Sequence, residues 1–180
     1  MVIQNLTRQA SLDLLARTRL GRLACAQGNQ PYVVPIYFSY HHECLYSFAT
    51  VGQKIEWMRA NPSVCVEVDE VEGPDHWATV LIFGHYEELP DTPEWASDRT
   101  LAQTLLQRHA AWWEPAYTKS TVHGGERPLV PVCYRIHCSR ISGRRAIREP
   151  AAPHGIEGSM TDSREHGWLR SLLRRIRDRQ

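Results

Sequence analysis

The sequence predicts a mainly β protein, a small closed or nearly closed β-barrel with peripheral helices. Six β-type runs are present, rich in Val, Ile, Tyr and Phe, and most are joined by short turns. Only three or so helical patterns interrupt them. A parallel βαβ sheet needs a crossover helix between most strands, and those helices are missing, so a barrel fits better than a doubly wound sheet. No internal repeat is visible.

The elements follow in order. Ser11 can N-cap, or interrupt, an early helix carrying Leu12, Leu14, Leu15 and Ala16 and ending before Gly21. Leu20 to Ala26 reads as a strand, and Gln27-Gly28-Asn29-Gln30 as a turn. Pro31 to Tyr40 is a second strand whose Pro35 argues for an edge or a bulge. His41-His42-Glu43 makes a turn, and Cys44 to Ala49 a third strand. A short helix over Gly52 to Ala60 has Ile55 and Met58 on its core side, with Trp57 a further candidate, and Asn61-Pro62 closes it. Ser63 to Val68 alternates Val64, Val66 and Val68 with Cys65 and Glu67, and Asp69 to Asp75 reads as an acidic loop. His76 to Leu89 is a strand long enough to wrap around a barrel. Pro90-Asp91-Thr92-Pro93 opens a helical stretch to about Arg108; an aromatic loop and a Gly-Gly turn follow, and Leu129 to Ser139 is the last strand.

With 180 residues the chain fits one domain, or one domain plus a tail, and can bury a real core. Hydrophobic content of 42%, charged content of 23% and a net charge of +1 give no overall signal for nucleic acid or membrane. No apolar run approaches the roughly 20 residues that span a bilayer, and the N-terminus lacks a signal-peptide pattern. A cytoplasmic protein without an integral membrane segment is expected. The five cysteines are odd in number and form no C-x-x-C pair, which reads as reduced, buried thiols. The histidines are scattered, so no metal site is expected.

Past Arg148 the composition turns to Pro, Ala, Gly, Ser and Glu. The organisation expected is a barrel domain over residues 1–148, a flexible linker over 149–163 and a basic amphipathic C-terminal helix over 164–180. Nine of the nineteen arginines fall between Arg144 and Arg179. The final helix could bind a membrane surface or an acidic partner; docking of its apolar stripe on its own domain or dimer mate is the preferred reading.

Lys54 is the most telling residue. Of twenty-one basic side chains only Lys54 and Lys119 are lysine, and Lys54 follows a glycine at the start of a helix, in Thr50-Val51-Gly52-Gln53-Lys54. Glycine admits a ligand close to the backbone, a helix start offers unpaired N–H groups, and lysine adds a compact charge suited to phosphate. The residues read as an anion cradle, most simply for a flavin nucleotide phosphate. A solvated lysine on a short surface helix is the competing reading, since one Gly-x-Lys turn is a weak motif.

The order Gly21-Arg22-Leu23-Ala24, Pro31-Tyr32-Val33-Val34-Pro35-Ile36, Leu45 to Lys54, then Arg59-Ala60-Asn61-Pro62-Ser63-Val64-Cys65 carries a resemblance, joined by the long strand with Gly84 near its end. Over roughly residues 5 to 145, including a concluding strand Val132 to Arg144, the chain resembles the pyridoxamine 5′-phosphate oxidase-like family, most closely its Nim-type nitroimidazole-resistance branch. The resemblance implies an FMN-binding split β-barrel that works as a homodimer with the cofactor in clefts between subunits. It places Val33, Val34, Pro35 and Ile36 along the isoalloxazine ring. Phe48, Ala49 and Thr50 then lead into the phosphate turn, Gly52, Gln53 and Lys54 hold the ribityl phosphate, and Thr79 stands near the flavin. Gln53 replaces the arginine usual in the oxidases, so one phosphate contact is missing, and Arg22 is the candidate to compensate. No counterpart of the oxidase tail that grips pyridoxamine phosphate is visible, so vitamin B6 oxidation is not expected.

With FMN bound, the flavin carries the electron chemistry, and no catalytic acid, base or nucleophile is evident. The expected role is a flavin-dependent oxidoreductase passing electrons from a reduced nicotinamide donor to a small organic acceptor. Trp112 and Trp113 could stack on the flavin or cap a substrate cleft, against a plain core-packing role. His76 could reach such a cleft, against an ordinary surface histidine, and His123-Gly124-Gly125 is a lid or an idle connection. Haem held by His76, His85, His109 or His123, a deazaflavin, or a non-catalytic regulatory module stay open as alternatives.

Overall fold

Alternating Val, Ile and Tyr residues form long strands, and antiparallel pairing joins them into one sheet. The computed structural model describes residues 1–107 and 131–148, with the backbone of 121–122 and 125–126. Trp112, Trp113, His109, His123 and the expected linker and final helix lie outside the described residues. The barrel belongs to a unit running from Met1 to Glu149.

Eight strands make the main sheet. In chain order they are β1 (Val2–Asn5), β2 (Leu20–Gln27), β3 (Gln30–Tyr37), β4 (Ser39–His41), β5 (Cys44–Thr50), β6 (Ser63–Gly73), β7 (His76–Glu88) and β10 (Pro131–Ile147). Their spatial order is β3-β2-β6-β7-β10-β5-β4, with β1 added to the far end of β10. Two short strands, β8 (Thr121–Val122) and β9 (Gly125–Glu126), pair only with each other. The helices are α1 (Arg8–Arg17), α2 (Gln53–Ala60) and α3 (Ala96–Gln107), the last preceded by a 3-10 turn at Pro93–Trp95.

The sheet order dictates a barrel with a seam. β3 and β4 stand at opposite ends of the sheet, yet only Phe38 separates them in sequence. The sheet must therefore curl until its ends meet at Phe38, which is buried and donates its N–H to the Arg19 carbonyl at 2.9 Å. Beside that corner the Ser47 hydroxyl donates to the Tyr37 carbonyl at 2.7 Å, tying β5 to β3. Farther along, no ladder joins β3 to β5, and the barrel stays open there. Leu23, Val66, Val68, Val80, Ile82 and Ile136 fill the interior, all fully buried. Each is worth about 1.5–3 kcal/mol of apolar burial.

Several sequence expectations need correction. Thr7, not Ser11, caps α1: its hydroxyl accepts from the Ala10 N–H at 3.1 Å, while Ser11 is buried inside the helix and donates to the Thr7 carbonyl. The expected strand Pro31 to Tyr40 is broken at Phe38, where the chain passes from one sheet end to the other. The acidic run from Asp69 is no loop, because β6 stays paired with β7 as far as Gly73, with a shift of register after Val71. The last strand is far longer than Leu129 to Ser139, because β10 reaches Ile147 by pairing with β5, β7 and β1 in turn. β1 was not foreseen. Pro35 does lie on an edge strand, since β3 pairs only with β2.

Candidate functional site

The open part of the seam is a groove of about 400 Å³. β3 contributes Tyr32, Pro35, Ile36 and Tyr37 to one wall, and β5 contributes Phe48, Ala49 and Thr50 to the other. Gly52, Gln53 and Lys54 close its end, because α2 begins within three residues of the end of β5. Local sequence explains this corner. Val51 and Gly52 leave the strand, Gln53 starts the helix, and Ile55 and Met58 anchor it by full burial against the barrel. The helix N-terminus has no side-chain cap. The first-turn N–H groups ahead of Glu56, whose own N–H reaches the Gly52 carbonyl at 3.0 Å, have no partner within the helix.

Lys54 is half-buried in this groove. Burial pushes its ammonium below the usual lysine value, an effect the nearby Cys25 thiol partly opposes. No carboxylate pairs with it among the described residues. A half-dry cation with no counter-ion, beside uncapped helix N–H groups, is a donor set suited to an anion. Gly52 differs from the turn expected of it. Its backbone is extended, with φ 177° and ψ −175°, which any residue adopts. A Cβ there would meet nothing within 4 Å, so the residue borders the open groove.

Eight of the residues singled out in the sequence therefore meet in one place: Pro35, Ile36, Phe48, Ala49, Thr50, Gly52, Gln53 and Lys54. Others do not. Val33 is 59% exposed on the outward face of β3, and Val34 does not line the groove. Thr79 lies on β7, its hydroxyl 3.4 Å from Glu67. His76 is exposed at the start of β7, its Nδ1 2.9 Å from Glu72, and borders a different depression between α1, β7 and the end of β10. Arg22 does not compensate for Gln53: its guanidinium is paired with Asp69 and lies 3.8 Å from Glu67. Sequence reasoning passed over Tyr32 and Tyr37. Tyr32 packs on Trp57 of α2 with ring centroids 5.5 Å apart, so a helix aromatic braces the groove wall. Tyr32 and Tyr37 are five residues apart on β3, so the period-two alternation of a strand does not single out both, and no local signal marked them. Among the described residues no group of three or more His, Cys, Asp or Glu could hold a metal ion. No helix among them is long and apolar enough to cross a membrane.

Comparison with known proteins adds four findings. A family model described as pyridoxamine 5′-phosphate oxidase matches residues 7–145. An uncharacterized protein of Rhizobium meliloti is 33% identical over 146 residues, covering 81% of this chain and 97% of that protein. Among solved structures, a FAD-binding protein of Mesorhizobium loti is 41% identical with a TM-score of 0.68, covering 81% of this chain and 99% of that one. A 5-nitroimidazole antibiotic resistance protein of Bacteroides thetaiotaomicron, so described provisionally, shares the fold at 17% identity, with a TM-score of 0.58 and coverage of 81% and 89%.

Proposed function

The chain belongs to the pyridoxamine 5′-phosphate oxidase family and has its split β-barrel fold, and on that premise we propose that it binds a flavin nucleotide in the seam groove. The observation that carries this reading is the half-buried Lys54 ammonium, without a carboxylate partner among the described residues, at the uncapped start of α2. The 41% identical Mesorhizobium loti protein, named as FAD-binding, supports the flavin. FMN, the form implied by the sequence resemblance, shares its ring, ribityl chain and first phosphate with FAD, and this groove serves that common part.

A bound flavin supplies the electron transfer between a reduced nicotinamide donor and a small organic acceptor. The residues have narrower tasks. Lys54 and the first-turn N–H groups hold the phosphate. Pro35, Ile36, Phe48 and Ala49 form an apolar wall that keeps water from the ring. The second substrate enters from the open side of the seam. The exposed Val33, Leu81 and Phe83 on the outward sheet face support a homodimer. The five unpaired cysteines support a reducing, cytoplasmic setting.

The test is a titration of the full chain with FMN and with riboflavin, followed by flavin fluorescence. Lys54→Ala is expected to weaken FMN by about 1.5–3 kcal/mol, the range for hydrogen bonds to a charged group. Riboflavin, which lacks the phosphate, should bind both proteins alike. Unchanged FMN affinity in the variant would remove Lys54 from the site.

A further inference from the structure

A second groove, of about 230 Å³, starts where the first ends. Phe48 lines both, and Thr50 of the first groove is paired across β5 and β10 with Pro131 of the second. Its far wall is α3, which presents Arg99, Gln103 and Gln107, while Leu106 and Cys133 supply apolar surface. Gln103 and Gln107 are four residues apart, so their amides share one helix face. Arg99 donates to the Leu89 carbonyl at 2.8 Å and lies 3.4 Å from Asp91, whose side chain is 90% exposed. The guanidinium has five N–H donors, so several are left for a ligand.

Charge decides what the two grooves together can hold. In the seam groove Lys54 is the cation among the described residues. Gln53 is neutral, Arg22 is taken by Asp69 and Glu67, and Arg59 is clamped by Glu88 at 2.7 and 2.8 Å. A phosphate monoester at neutral pH carries close to two negative charges, its second pKa being about 6. One lysine would leave much of that charge uncompensated in a half-dry site. A phosphate diester carries one. A pyrophosphate diester brings two single charges, and among the described residues the two adjoining grooves offer one cation each, Lys54 and Arg99.

We propose that the Arg99–Gln103–Gln107 groove holds the adenosine-monophosphate half of flavin adenine dinucleotide, so that this chain selects the dinucleotide over FMN. The inference rests on the flavin reading above. Arg99 takes the second phosphate, for which the guanidinium fork is suited. The paired glutamine amides face the adenine edge, and Phe48 marks the passage between the halves. No covalent step is involved.

The experiment measures dissociation constants of FAD, FMN and AMP for the cofactor-free full chain and for Arg99→Gln and Gln103→Ala. The wild type is expected to bind FAD at least about tenfold more tightly than FMN, and AMP should compete with FAD but not with FMN. Arg99→Gln should weaken FAD about tenfold or more while leaving FMN unmoved. Gln103 is exposed, so Gln103→Ala keeps the fold and should reproduce the selective loss if Arg99→Gln fails to fold. Equal affinities for FAD and FMN, or variants that weaken both alike, overturn the adenylate site and leave the seam site intact. Binding of neither flavin overturns both.

Discussion

Lys54 combines two opposing demands. Its ammonium is half-buried without a carboxylate among the described residues, so its folded-state pKa lies below the ordinary 10.5. Where both the folded and unfolded chains carry the proton, the folded one bears the cost of desolvating it. As pH climbs through the lowered value toward 10.5, the unfolded chain holds more protons than the native one, so stability rises from this group. Lys54→Met should therefore stabilise the cofactor-free protein at pH 7 by about 0.5–2 kcal/mol, the usual size for relief of such a site. That advantage should shrink as the pH approaches 10.5. Adding saturating flavin nucleotide should reverse the order, since only the wild type gains the charged contact. Urea unfolding at several pH values checks this, and a variant less stable than wild type without cofactor would contradict it. The residue was legible because lysine is rare in this chain. Tyr32 and Tyr37 were not, because nothing local distinguishes a tyrosine facing a seam from one facing a core.

Elements were legible where pairing is local and obscure where it is not. The β2–β3 hairpin could be read from Gly28-Asn29, whose φ values of 53° and 66° suit a two-residue turn. β1 could not, because Val2 finds its partner in Ile147, at the other end of the sheet in sequence. The acidic stretch of β6 was misread for a related reason: pairing of Asp69 and Glu70 with Thr79 and Ala78 overrides poor strand propensity. Two glycines of the motif differ in the same way. Gly84 on β7 lies opposite Cys138, next to the irregularity between Cys138 and Arg140. A Cβ on Gly84 would stand 2.5 Å from the His137 carbonyl oxygen and 2.6 Å from Ile136 Cγ2. The oxygen belongs to the neighbouring strand and cannot yield without breaking the ladder. Gly84→Ala should cost about 2–4 kcal/mol. Gly52→Ala, with extended backbone and open space, should stay within about 0.5 kcal/mol. Chemical denaturation of the two variants separates them, and equal losses would show that β7 and β10 slide apart more freely than this packing allows.

At the scale of the whole molecule, the barrel shape was legible but its outward face was not, since exposure depends on register. Pairing lines up Val33, Ala24, Cys65, Phe83 and Arg140 across five strands, and Pro35, Arg22, Glu67, Leu81 and Ser142 in the next row. Phe83 and Leu81 are each 38% exposed, and the Arg140 guanidinium lies 4.2 Å from the Phe83 ring centre. A second copy packed on this face would bury those side chains. It would also border the seam groove, because Pro35 belongs to both surfaces. Phe83→Glu sets a charge in the middle of the face while leaving the interior untouched, and Arg140 beside it can pair with the new carboxylate, so the variant should fold. Sedimentation should give twice the chain mass for the wild type and the single-chain mass for the variant. Flavin affinity should fall with the dimer by about tenfold, the equivalent of about 1.4 kcal/mol. A variant that still sediments as a dimer would move the interface to another face. A monomeric variant that binds flavin as tightly as wild type would mean that one chain completes the site alone.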